Sequence, residues 1–145
     1  RNPWNEVECG DHYARAMASW GVYTALAGYE YHGPKGHIGF APKITPEDFR
    51  TAFTAAEGWG TFSQKRDEQV QREQISLRWG KLRVKSLAFE VPKEFKNARA
   101  TVAINRSAVD SKSIQKDGRI EITLAKEHVI SKNQTLVVAI HQRNQ

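Results

Sequence analysis

The sequence predicts a mixed α and β chain, mostly β: one N-terminal helix followed by an antiparallel β-sandwich-like domain. Three observations carry this. A single stretch, His12 to Ala27, is dominated by Ala, Met, Trp, Val, Tyr and Leu. From Gln74 onward, apolar residues recur at every second position. Turn-forming residues interrupt that alternation at the short intervals usual for sandwiches and barrels.

The helix is the first element. Asp11 after Gly10 is a suitable N-cap, and Gly28 is a suitable stop. Tyr13, Met17, Trp20 and Thr24 share one face, while Ala14, Ala18, Val22 and Ala25 fill another. A helix apolar nearly all round needs neighbours on most sides. The rest of the chain offers few further helices, so this one reads as an element of a larger helical assembly.

Next, "GYEYHGPKGHIGFAPKITPEDF" is rich in Gly and Pro and predicts loops and turns. Within it, Thr45-Pro46-Glu47-Asp48 predicts a short helix, with Thr as cap and Pro at the first position. "GWGTFSQ" is strand-like, and "KRDEQVQREQ" reads as a polar connector.

The β-rich part follows. Ile75, Leu77 and Trp79 alternate with Ser76 and Arg78, which assigns Trp79 to the core. Gly80-Lys81 predicts a two-residue hairpin turn, with Leu82 and Val84 returning. Leu87, Phe89 and Val91 continue after a face switch near Ser86, which predicts a bulge. Thr101 to Asn105 is another strand. Asp117-Gly118 is a second turn, leading into Ile120, Ile122 and Leu124, and Leu136 to Ile140 is the last strand. About six short strands result, in keeping with a sandwich.

At 145 residues the chain fits one domain, or one domain and a piece of another. A hydrophobic content of 39% permits a real core. The net charge of +6 raises a polyanion surface as one alternative. Both signs are interleaved, however, from Lys65 to Glu73 and from Val91 to Arg99, so nucleic acid is not an expected partner. One cysteine, Cys9, excludes an internal disulfide framework. No signal-peptide pattern and no apolar run of spanning length is present. The chain opens on Arg1, so a processed or truncated N-terminus is expected.

Candidate chemistry concentrates in "RNPWNEVECGDHYARAMASWG". Glu6 and Glu8 lie two apart; on an extended segment they point the same way and cannot face each other across a sugar ring as acid and nucleophile. Glu6 with Arg15 is a better pair. Arg15 sits among small apolar residues, where a charge needs a partner or a cavity. A carboxylate acceptor and a guanidinium fork can hold adjacent sugar hydroxyls, or they can form a structural salt bridge. Cys9 and His12 lack an orienting third group for thiol catalysis. His12, His32 and His37 lack metal-ligand spacing, so no metal site is expected. Trp4 and Trp59, set among Gly and polar residues, are the better candidates for sugar platforms.

"NPWNEVECGDHYARAMASWG" resembles a signature near the end of the catalytic domain of glycoside hydrolase family 116, which includes β-glucosidases and non-lysosomal glucosylceramidases. "YEYHGPKGHIGFAP" and "EGWGTFSQ" resemble its continuation in bacterial relatives. The resemblance covers roughly residues 1–40 and weakens to residue 64. It implies an (α/α)6 barrel, of which the helix would be the end, and retaining hydrolysis of β-glucosides by a Glu nucleophile and an Asp acid/base. Both would lie upstream, so no catalytic residue is expected in this chain. In the family's motif a Glu and an Arg nine positions apart contact the glucose, and these positions match Glu6 and Arg15.

The expected division is therefore a terminal segment of the glycosidase catalytic domain at 1–64 and a β-rich C-terminal domain at 65–145. The expected function is that of a C-terminal fragment of a retaining β-glucosidase or glucosylceramidase-like hydrolase, inactive by itself. The alternative is an autonomous carbohydrate-binding or packing β-sandwich module. No cofactor is expected. The expected partners are the β-glucoside substrate in the intact enzyme, the rest of the parent catalytic domain, and other copies of the fragment through its apolar helix.

Overall fold

The computed structural model describes residues 13–142, with side chains from residue 16. It is mostly β, with one N-terminal helix, as the sequence predicts. Helix α1 spans Tyr13–Ala27. Ten strands follow: β1 Glu30–His32, β2 His37–Phe40, β3 Asp48–Ala55, β4 Gly58–Arg66, β5 Val70–Glu90, β6 Arg99–Ile104, β7 Ser107–Val109, β8 Ser111–Lys116, β9 Arg119–Ser131 and β10 Thr135–His141. The predicted N-cap Asp11 lies outside the described residues.

The helix ends where Gly28 predicts. Gly28 has φ 55°, its N–H donates to Ala25 O, and the Tyr29 N–H donates to Thr24 O. This is a Schellman motif, with Gly supplying the left-handed residue at no Cβ cost. Ala41 and Lys43 then donate their N–H groups to Ala27 O and Leu26 O at 3.1 and 2.9 Å. The last helical carbonyls are thus satisfied by the β-domain, which fixes the helix at its C-terminal end.

Strand β5 organises the rest. Its first half lies in one sheet, ordered β3-β4-β5-β10-β6-β7, and its second half in the other, ordered β1-β2-β5-β9-β8. Pairing is antiparallel except between β2 and β5. The inner faces meet in one core, with Phe62 and Ile75 on one side and Ile38, Leu87 and Ile122 on the other, all fully buried. Phe40 stacks on Phe62 with centroids 3.8 Å apart, and Phe89 lies 6.1 Å beyond. This core runs from Ala27 to Ile140 and draws on residues either side of Gln64.

Several local expectations are corrected. Gly80-Lys81 is not a hairpin turn: β5 runs straight through it, with Gly80 at φ 73° where the strand passes from one sheet to the other. A Cβ at Gly80 would overlap the Glu57 carbonyl, so the close passage requires glycine. Thr45-Pro46 opens no helix; it makes a turn closed by Asp48 N–H to Thr45 O, and β3 begins at once. The alternation of buried Phe49, Thr51 and Phe53 with exposed Arg50, Ala52 and Thr54 outweighs the capping signal there. "HIGF" inside the supposed loop is β2, and "VQREQ" inside the supposed connector opens β5. The predicted bulge near Ser86 is present as a register shift against β9 between Val84 and Ser86, and Asp117-Gly118 forms the β8–β9 turn.

Candidate functional site

Glu6 lies outside the described residues. Arg15 is placed in the first turns of α1, and its side chain also lies outside them. The pairing of Glu6 with Arg15 therefore rests on the sequence. What the structure adds is the setting of the helix that carries Arg15.

That setting is open. Every residue from 16 to 26 is exposed, including Met17 at 58% and Trp20 at 60%. Such exposure of a largely apolar helix leaves unburied what would normally be covered. Among the described side chains, those of its last turns touch the sandwich. The Tyr23 hydroxyl accepts from the Ala52 N–H at 2.8 Å, and the Thr51 hydroxyl donates to it at 2.5 Å. The Tyr29 hydroxyl donates to Thr54 O at 2.7 Å, and burial pushes that phenol well above its usual pKa. Trp20, Tyr23 and Thr24 close over Ala52 and Thr54 around a cavity of about 60 Å3.

The second feature is an aromatic pair. Trp59 on β4 and Trp79 on β5 are direct cross-strand partners, 49% and 59% exposed. Trp79 is thus not in the core, contrary to the alternation Ile75-Leu77-Trp79. The cause is a bulge. Trp59 pairs with Trp79 but Gly60 pairs with Leu77, so Arg78 is an extra residue and the side-chain parity of β5 reverses. Beside this pair, Glu57 receives Lys81 Nζ at 3.1 Å and Arg83 Nε at 3.2 Å. The Lys81 contact, with Arg83 adding, holds the Glu57 carboxylate below its usual pKa.

The third feature departs from the sequence reading. Gln71 and Glu73, read as part of a polar connector, are fully buried together with Gln64 at one end of the sandwich. Gln71 Nε2 donates to Glu90 O at 2.8 Å, Gln64 Nε2 donates to Pro46 O at 2.7 Å, and Arg66 Nε donates to Gln71 Oε1 at 2.6 Å. Burial raises the Glu73 pKa to about 8, against the opposing pull of Gln71 and Arg66. The Gln-x-Glu alternation in phase with Ile75 and Leu77 was the available signal. Among the described residues no His, Cys, Asp and Glu cluster could hold a metal ion, and no helix is long and apolar enough to cross a membrane.

No family model matches the chain, and no curated protein matches it. Among solved structures the chain is similar to an alpha-L-rhamnosidase from Dictyoglumus thermophilum. The identity is 16%, the match covers 80% of this chain and 12% of that one, and the TM-score is 0.45. The chain spans only a small part of that protein's length, and a likeness of this depth assigns it neither a family nor an activity.

Proposed function

We propose that the chain is the C-terminal portion of a retaining β-glucoside hydrolase of the family 116 type. In this reading α1 and the residues before it complete a helical barrel, and the β-sandwich packs beside it. Glu6 and Arg15 hold glucose hydroxyls, while the nucleophile and acid/base belong to the remainder of the protein. The observation that carries the reading is the exposed helix: apolar nearly all round, anchored among the described residues at its C-terminal end, and carrying Arg15 within the motif. A helical assembly is what such a surface requires. Because one core unites Ala27 with Ile140, the barrel would claim the helix and its leader rather than the strands up to Gln64.

The test is kinetic. In the full-length product, Glu6→Ala and Arg15→Ala should each lower kcat/KM on a β-glucoside by about 2–4 kcal/mol of transition-state stabilisation. Near-wild-type kinetics for both would remove the sugar-contact assignment.

A second reading, a carbohydrate-binding sandwich, is favoured by Trp59 and Trp79. Two exposed indoles at paired positions beside a charged fork offer apolar faces to a pyranose and hydrogen bonds to its hydroxyls.

A further inference from the structure

A cleft lies at the C-terminal end of β5, beginning at Glu90. It holds about 920 Å3 between the 91–98 loop and the β8–β9 turn. That volume suits a ligand of a few linked rings. Its walls are fixed before any ligand arrives. The Val91 N–H donates to Gly118 O at 2.9 Å, and the Phe95 N–H closes a turn on Pro92 O. Gln115 clamps the loop from the other side: its Oε1 accepts from the Ala98 N–H and its Nε2 donates to Phe95 O, both at 2.7 Å.

The charges of the lining are unequal in what they leave available. Arg119 is held by Glu30 through two hydrogen bonds, and Glu90 is held by Lys43 at 2.7 Å. Lys93, Lys96 and Lys116 are exposed and form no ion pair among the described residues. Three uncompensated ammonium groups around one cleft favour an anion. Asp117 and Asn97 share the same lining. An unpaired carboxylate beside three cations is unfavourable for a bare phosphate or sulfate. It is useful for a ligand that carries hydroxyl donors as well as negative charge. The aromatic ring in the lining, Phe95, is buried, so no exposed face is offered for base stacking.

We propose that this cleft binds a short acidic saccharide: the lysines receive its carboxylates, and Asp117 and Asn97 its hydroxyls. None of the residues lining it belongs to α1, and the proposal does not depend on the hydrolase reading.

Calorimetric titration of the 145-residue chain with a linear tri-uronate tests it, with a neutral trisaccharide, inorganic phosphate and a short oligothymidylate as companions. Tri-uronate binding is expected, with the other three at least about tenfold weaker. The triple variant Lys93→Ala, Lys96→Ala, Lys116→Ala should lose at least about tenfold in affinity, while Lys126→Ala with Lys132→Ala, outside the cleft, should leave it unchanged. Circular dichroism verifies that these surface variants fold. Asp117→Asn supplies the sharpest arm. It adds net positive charge, so simple attraction of an anion predicts tighter binding. The proposal predicts binding about fivefold weaker, because a charged acceptor for hydroxyls is lost. Asp117 has φ 51°, a conformation Asn tolerates, so the fold is preserved. Absent tri-uronate binding, equal binding of phosphate or oligothymidylate, or tighter binding by Asp117→Asn would overturn the assignment.

Discussion

Gln71 and Glu73 lie two residues apart on the inner face of β5, and Gln71 Nε2 donates a 2.5 Å hydrogen bond to Glu73 Oε1. Glu73 Oε2 meets no partner among the described residues. A carboxyl in that position favours its neutral form. With a folded pKa of about 8 against the ordinary glutamate value of about 4.5, it holds its proton more tightly when folded. Its contribution to stability is complete below pH 4.5 and is lost as pH rises through 8, at a slope approaching 1.4 kcal/mol per pH unit at most, roughly. Thermal midpoints should therefore fall between pH 5 and 8.5, and Glu73→Gln should flatten that fall. Parallel curves for the two proteins would exclude a buried neutral Glu73.

Gly28 closes the helix and touches the β-domain at once. A Cβ there would overlap the Ala41 carbonyl, and φ 55° strains any other residue. Gly28→Ala should cost about 2 kcal/mol or more in urea unfolding. A cost below about 0.5 kcal/mol would mean that the Schellman ending is not held in solution.

Gly21 lies mid-helix, and a Cβ added there would meet nothing within 4 Å. In the 145-residue chain Gly21→Ala should raise helicity and add about 0.5–1 kcal/mol. In a full-length barrel the same change should be neutral or harmful, because close helix packing would fill that space. Equal stabilisation in both proteins would count against burial of this face.

Trp59 and Trp79 expose about half of each side chain, so Trp59→Ala and Trp79→Ala should each cost less than about 1.5 kcal/mol, short of the 3–5 typical of a core Trp. If the pair is a sugar platform, oligosaccharide-dependent changes in Trp emission should vanish in the double variant. A core-sized loss of stability would return Trp79 to the interior.

The parts of the fold that were legible in the sequence are those where local chemistry and tertiary context agree. Gly28, Asp117-Gly118 and the Ser86 face switch each combine a local signal with the demand of the sheet. Failures came where one extra residue, or one buried polar side chain, altered the count. Arg78 reverses the parity of β5, and nothing in "SLRWG" distinguishes a bulge from plain alternation. Gln71 and Glu73 look solvent-facing because burial of such groups depends on partners that the local pattern does not reveal: Arg66, the Glu90 carbonyl and, through Gln64, Pro46. Of the candidate site, the Glu6–Arg15 pair was readable only as a spacing. The cleft was not readable at all, because Gln115 joins its two walls from 17 and 20 residues away.

Because β5 contributes 21 residues to both sheets, neither sheet owns a complete set of strands. Peeling either sheet open removes the spine of the other. Amide exchange at Ile75 and Leu87, one in each sheet, should therefore proceed through the same opening event and report the same free energy. Contacts between such distant parts of the chain also make assembly slow. A protein built this way melts as one cooperative unit, and its two faces cannot loosen independently when either of them takes up a partner.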